Sequence, residues 1–429
     1  MDPARPPAQP ISGAGRMLAL LLAINLFNYI DRYILAAVEP LVSDHFFEAH
    51  DHAALAKTGS LATYFLLAYM LLAPLFGALA DRMSRWWIIA GGVAVWSLAS
   101  GGSGLATTFT MLALTRVFVG VGEAAYGPAA PTIIADLYPV EKRGRMLALF
   151  YMAIPVGSAI GYAFGGSVGH HFGWRMPFYL VTAPGLVLAA LCLGMRDPRT
   201  GRAVAAAKTS PIKWRDVAAL FRIRSYVLNT AAMTAMTFAI GGISFWVPHY
   251  LATDRAADFG GAPDLGRIGF TFGAITAAAG LLGTLLGGWI GDRLRARLPS
   301  SYFLVSGVAI FFAFPATALM TRTPFPAAWV LIFLAEFFLF LNTGPANTAL
   351  ANVTPPGLRA TAFALNILII HAFGDAISPP LIGWIAGETR MDTAFLFVSA
   401  TMVVASAFWL MGARYLGRDT SAIEAETRA

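Results

Sequence analysis

"GALADRMSR" (77–85) and "GWIGDRLRAR" (288–297) share a Gly-x-x-x-Asp-Arg core and lie about 211 residues apart in a chain of 429. Each follows a long apolar run and turns abruptly to charge, as a helix does on leaving lipid. A second echo, "EKRGRMLALF" (141–150) and "GLRATAFALN" (357–366), has an offset of about 216. Two echoes at one period describe a six-span unit duplicated in parallel.

Composition agrees. The chain is 57% hydrophobic and 12% charged, a balance that a water-soluble globule of this length does not need. Apolar runs of about 20 residues, enough to cross roughly 30 Å of hydrocarbon, fall at 17–42, 60–80, 86–106, 108–133, 145–168 and 174–195. Six more fall at 225–251, 267–290, 301–321, 326–349, 361–387 and 393–415. The expected fold is an all-α membrane protein with twelve transmembrane helices in two pseudo-symmetric six-helix halves. Its expected parts are a disordered cytoplasmic tail (1–16), a six-helix bundle (17–195), a basic cytoplasmic linker (196–224), a second bundle (225–415) and a cytoplasmic tail (416–429). The linker's last stretch, "WRDVAALFRIR" (214–224), reads as a short surface helix.

An even number of spans puts both termini on one side. Of 30 Lys and Arg, only Lys57, Arg175, Arg255, Arg267, Arg322 and Arg390 fall on the opposite side, with Arg32 and Arg116 inside spans. The positive-inside rule then places both termini in the cytoplasm of a multi-pass cell (inner) membrane protein. The net charge of +7 reads as topology and attraction to membrane lipid, not as nucleic-acid binding. A single cysteine, Cys192, excludes an internal disulfide and a cysteine metal site.

A charge at bilayer depth costs about 2.5–3.5 kcal/mol on insertion scales, so each asks for a partner. The candidates are Asp31 and Arg32 in span 1, Arg116 and Glu123 in span 4, Glu336 in span 10 and Asp375, with His371 one turn earlier, in span 11. Counting down each span at about 1.5 Å per residue puts Asp31 roughly 17 Å deep, Arg116 roughly 12 Å and Glu123 roughly 22 Å. Asp31 is thus bracketed by two residues seven apart on one helical face. If spans 1 and 4 are neighbours, the four side chains form one compact cluster that is formally neutral when ionised. Asp31 and Glu123 would carry the proton; Arg32 and Arg116 would hold an anionic head group. A static salt-bridge network is the competing account of the same residues, although buried ion pairs stabilise weakly.

Six-span parallel halves with Gly-x-x-x-Asp-Arg in the 2–3 and 8–9 loops resemble the major facilitator superfamily. The resemblance implies a central cavity lined by spans 1, 4, 7 and 10, opened to either side in turn. It also implies that Gly77, Asp81, Arg82 and Arg85, with Asp292 and Arg293 in the repeat, hold the cytoplasmic face shut. Glycines at intervals of three or four in span 5 (Gly157, Gly161, Gly165) and span 8 (Gly280, Gly283, Gly287) suit close helix approach. "GYAFGG" (161–166) resembles the superfamily's antiporter pattern Gly-Pro-x-x-Gly-Gly with Tyr162 where Pro belongs, which leaves antiport open.

The stretch 115–162 narrows the resemblance. Arg116, Gly120, Gly122, Glu123, Ala124, Tyr126 and "APTII" (130–134) match the span-4 pattern of the Spinster family of lysophospholipid and sphingosine-1-phosphate transporters. Asn28, Tyr29, Asp31 and Arg32 match its span 1, and Phe150, Tyr151, Ala153, Ile154, Pro155, Gly157 and Ser158 its span 5. "FWVPHYL" (245–251) is similar to its span 7. By position, the resemblance implies that Arg116, Glu123 and Asp31 couple substrate movement to protons, with Asp31 and Glu123 as the proton carriers. Substrate contact goes to Arg32, Arg116, Asn28, Tyr126, Tyr151, Phe245, Trp246, His249, Glu336 and Asn342. The substrate would be a lipid or other small amphipathic molecule carried by a monomer, with no cofactor and no metal. Phenylalanine supports a greasy tail site: of 31, 20 follow position 213.

Two other readings stand beside this one. Organic-anion or sugar-acid proton symporters of the superfamily also carry the span-1 pattern. An enzyme is the different-class alternative, but "GVGEAAYG" (120–127) lacks the spacing and the preceding strand of a nucleotide loop. "HFFEAHDH" (45–52) lacks zinc-site spacing and reads as a solvated loop.

Overall fold

Proline stands at or just after three of the breaks in these helices. In the computed structural model span 4 is helical over Phe109–Tyr126 and Ala129–Leu137, and Pro128 stands at the junction. Span 5 runs Val140–Tyr151 and Ala153–Phe172; Pro155 has no N–H to return to the Tyr151 carbonyl. Span 10 runs Ala327–Leu341 and Thr343–Asn352, where Pro345 does the same to Leu341. Span 11 passes from Arg359–Ile370 through a π-turn, His371–Asp375, into Ser378–Glu388. The breaks at Gly127 and Asn342 lie about 215 residues apart, the offset of the sequence echoes.

The structure describes residues 13–48, 51–198, 214–261, 263–355 and 358–428. Among these there are helices and no strands. The tail over 1–12 and the linker over 199–213 lie outside them, as does the side chain of Asp81. Span 1 is Ala14–Phe46, so helix starts inside the expected tail, and span 12 continues as Met391–Arg428, past its expected end. That extension is partnered: Arg295 Nη2 lies 3.3 Å from Glu424 Oε1. Linker residues Trp214–Leu220 form the short helix expected of them. Among the described residues eleven helices are long and apolar enough to cross a membrane. The remaining span, Arg85–Gly104, is rich in glycine and serine and packs against spans 4 and 6.

Two compact units result, neither continuous in sequence. One comprises Met1–Leu41, Tyr64–Lys208 and Leu265–Phe270; the other Val42–Thr63, Thr209–Asp264 and Thr271–Ala429. In the first, the span-5 glycines seat against span 1: a Cβ on Gly161 would lie 2.7 Å from the Ile30 carbonyl oxygen. In the second, span 7 (Arg224–Ala252) packs on span 12, and span 9 (Ser301–Met320) on spans 10 and 12. Span 8 (Leu265–Arg295) meets span 10 so closely that a Cβ on Gly287 would overlap the Leu341 carbonyl oxygen. Lipid supplies no hydrophobic force between helices, so such close backbone packing has to hold them.

Gly287 and its neighbour Gly288 separate packing from propensity, because nothing lies within 4 Å of a Cβ at Gly288. Gly287→Ala should lower the thermal midpoint in detergent by the equivalent of about 1–3 kcal/mol, the usual cost of overpacking. Gly288→Ala, which meets nothing and gains helix propensity, should leave it unchanged or raise it by the equivalent of up to about 1 kcal/mol. Equal midpoints would show that the seam does not set the helix spacing.

Candidate functional site

Adjacent residues on a helix point about 100° apart, and this splits the expected four-residue cluster into two layers. Arg32 turns toward spans 2 and 4: its Nη2 donates to Glu123 Oε2 at 2.5 Å. The Arg32 guanidinium also lies 4.7 Å from the Phe65 ring centre and 5.1 Å from that of Tyr29, cation–π contacts that strengthen where water is excluded. Asp31 turns toward spans 3 and 6 (Met176–Leu193) and accepts a hydrogen bond from Ser100. Arg116 and Arg32 both lie near enough to attract the Asp31 carboxylate. Arg116 Nη2 donates to Ser103 and its guanidinium lies 5.2 Å from the Phe178 ring centre.

Asp31, Arg116, Glu123 and Asn28 are all buried, and Arg32 is 29% exposed through its side chain. Among the described residues Arg116 Nε has no hydrogen-bond partner, while Glu123 has the Asn28 amide beside it. The layer therefore keeps bonding capacity that its own side chains do not use. Arg32 is the member through which the layer can be reached.

A count of charges does not find the hydroxyls. Ser100 and Ser103 complete the layer, and their signal is "WSLASGGSG" (96–104), with serines at 97, 100 and 103 on one helical face. Glu39, fully buried in span 1, is a further charge at depth beyond the six candidates, and its signal is plain: an acid inside the apolar run "ILAAVEPLV" (34–42).

Other expected site residues are dispersed. Tyr126 is buried, with its hydroxyl donated to the Leu21 carbonyl oxygen at 2.8 Å and its ring against Trp96 and Phe150. Tyr151 is 50% exposed. In the second unit the Phe245, Trp246 and His249 rings meet edge to face in sequence, and Trp246 Nε1 donates to the Pro379 carbonyl oxygen at 2.8 Å. Glu336 is buried and accepts from Thr276 at 3.0 Å; its second oxygen has no partner. Asn342 is fully buried and returns its Nδ2 to the Leu339 carbonyl oxygen at 2.6 Å. His371 Nδ1 lies 2.9 Å from both Asp375 oxygens within the π-turn.

The motif loop is built around Arg85. Although it opens span 3, Arg85 is 3% exposed, bonded to Asp136 at 2.7 Å, Asp197 at 2.6 Å and Thr132 at 3.0 Å. It ties together the adjacent ends of spans 3, 4 and 6. Gly77 has room for a side chain and Arg82 is exposed. In the repeat, Asp292 accepts from the Tyr302 hydroxyl at 2.8 Å, and the Arg293 guanidinium lies 6.0 Å from the Trp289 ring centre. The candidate metal stretch lies partly outside the described residues; within it His52 Nδ1 lies 2.8 Å from the Gly387 carbonyl oxygen. The glycine stretch 120–127 is helix in span 4 up to Tyr126, not a loop.

Residues 21–379 match the model of the Major Facilitator Superfamily. Protein spinster homolog 1 of Bos taurus is 37% identical over 428 residues, covering 94% of this chain and 80% of that protein. Its Homo sapiens counterpart is 36% identical, covering 96% and 81%. Among solved structures, a bacterial homolog to the human lysosomal transporter Spinster, inward-facing and unoccupied, superposes with a TM-score of 0.82 at 21% identity, covering 96% of this chain and 99% of that one. A D-xylose-proton symporter shares the fold with a TM-score of 0.71 at 17% identity, covering 92% and 96%.

Arg85 yields a test of the tie. Arg85→Gln should speed amide exchange at the Asp136 and Asp197 ends of spans 4 and 6 about tenfold, as two carboxylates lose the charged donor that joins them. Hydrogen–deuterium exchange by mass spectrometry reads this, and unchanged exchange would mean that those ends are held without Arg85.

Proposed function

We propose a transport function from one premise: the chain belongs to the Major Facilitator Superfamily and, within it, to the Spinster family. It is a multi-pass membrane transporter acting on small-molecule substrates. Its substrate is an amphipathic lysophospholipid or sphingosine-phosphate type of lipid, moved by alternating access and coupled to protons. It works as a monomer in the cell membrane, with both termini in the cytoplasm.

The observation that carries this reading is the buried Arg32–Glu123 pair beside the Asp31–Ser100 and Arg116–Ser103 pairs. Membrane helices do not need buried ion pairs for stability, so this concentration of charge asks for a purpose. When Glu123 takes a proton, the Arg32 guanidinium loses its carboxylate and can bind an anionic head group. When Asp31 takes one, Arg116 gains the same freedom. Ejecting the proton restores the pairs and expels the head group, so protonation and binding are linked through shared partners. Arg85 and its partners stiffen the cytoplasmic ends of the first unit, which then moves as one body.

Uptake of labelled lysophospholipid and of hexuronate into proteoliposomes, with and without a pH gradient, tests the reading. Lysophospholipid should move and respond to the gradient; hexuronate moving instead would favour a sugar-acid symporter. Asp31→Asn and Glu123→Gln should abolish pH-driven transport while the protein still folds, as judged by gel filtration and thermal midpoint. Loss of folded protein would assign the charges a structural role. Arg116→Lys should raise the half-saturating concentration roughly tenfold, since an ammonium cannot reproduce a planar donor fork. Unchanged transport would remove Arg116 from the site.

A further inference from the structure

Span 3 presents Ser97, Ser100 and Ser103 on one face, and each hydroxyl has a different use. Ser97 donates to the Val93 carbonyl oxygen of its own helix at 2.7 Å. Ser103 is engaged by Arg116 and lies 2.7 Å from the Thr115 hydroxyl. Ser100 alone of the three donates to a carboxylate, that of Asp31.

Behind this contact is a small cavity of about 10 Å³ between spans 3 and 6, with Asp31, Ser97, Ser100, Trp96 and Gly185 in its wall. That is about the room one water occupies, and three polar groups in the wall match the hydrogen bonds a buried water makes. Gly185 keeps the seam this tight, since a Cβ there would overlap the Ser97 hydroxyl. The charged groups around Asp31 come from elsewhere: Arg116 and Glu123 on span 4 and Arg32 on its own helix. Span 3 contributes hydroxyls and an indole to the wall, and span 6 no titratable group.

We propose that Ser100 is the positioning residue of the Asp31 carboxyl and the hydroxyl through which its proton passes, supplied by a water in the cavity between spans 3 and 6. Asp31 then exchanges its proton on the side away from the Arg32–Glu123 pair. Protonated water gives a proton to Ser100 Oγ as the Ser100 hydroxyl proton moves to an Asp31 oxygen. Water is left neutral, serine is regenerated, and only O–H bonds change. The inference rests on the proton-coupled reading above, and it names a route that the reading leaves open.

The test uses full-length protein in proteoliposomes. Labelled lysophosphatidylcholine uptake is measured between about pH 5 and 9, and the protonated-carboxyl infrared band lost in Asp31→Asn is titrated in parallel. Ser100→Ala removes a donor that favours the charged carboxylate. It should move the midpoint of both profiles about one pH unit toward higher pH and slow maximal uptake. Half-saturation should stay within about twofold, and Ser100→Thr should restore the wild-type midpoint. If Ser100→Ala does not fold, Ser100→Cys, a weaker donor of similar size, should give a smaller shift in the same direction. Midpoints equal to wild type in folded Ser100→Ala or Ser100→Cys overturn the inference, while pH-driven uptake abolished by Asp31→Asn would still uphold proton coupling. Uptake indifferent to pH, with the infrared midpoint shifted in Ser100→Ala, would retain the positioning role and remove the proton-coupled reading.

Discussion

Inside hydrocarbon there is no water to accept a stray hydrogen bond, and this constraint orders the rest of the molecule. Every ionised group within a span must find its partner in protein. Arg32 finds Glu123, Asp31 finds Ser100, and Arg116 finds Ser103. Partners supplied by spans 2, 3 and 4 draw those helices onto span 1. The same requirement leaves the Arg116 and Glu336 atoms that lack partners among the described residues as places where a ligand or proton can act. A soluble protein could leave such atoms to solvent.

The second constraint is spacing. Charges can meet only if backbones approach closely, and glycine makes that approach possible on three seams. Gly161 seats span 5 on span 1, Gly185 seats span 6 on span 3, and Gly287 seats span 8 on span 10. Two of these seams touch the charged layer through spans 1 and 3. Packing and chemistry are thus coupled: the glycine that brings span 6 to Ser97 also shapes the cavity beside Asp31.

Much of the fold was legible because lipid imposes length, period and sign on a sequence. The repeated Gly-x-x-x-Asp-Arg and the offset of the echoes announced two six-span units, and the breaks at Gly127 and Asn342 repeat that offset in the backbone. Within the site, depth counting brought Asp31, Arg32, Arg116 and Glu123 together but could not pair them. Pairing depends on azimuth, and neighbours on a helix differ by about 100°. Ser100 was harder to see, because a serine in a glycine-rich span looks like packing until a carboxylate faces it. Tyr126 shows the opposite: a polar aromatic inside a motif turned out to spend its hydroxyl on the Leu21 carbonyl.

The sequence by itself determined that this chain spans a membrane, that it is a duplicated six-span unit, and which charges lie at bilayer depth. Each of these follows from one-dimensional regularities: apolar run length, motif period and position along a span. Only the tertiary structure decided that Arg32 takes Glu123 while Asp31 turns to span 3, and that Arg85 binds the ends of three spans. It also decided that the two compact units interleave in sequence, with Val42–Thr63 in the second and Leu265–Phe270 in the first. The physical reason is that partner choice depends on helix rotation and on which neighbour approaches within hydrogen-bond reach. Residues far apart in the chain set both.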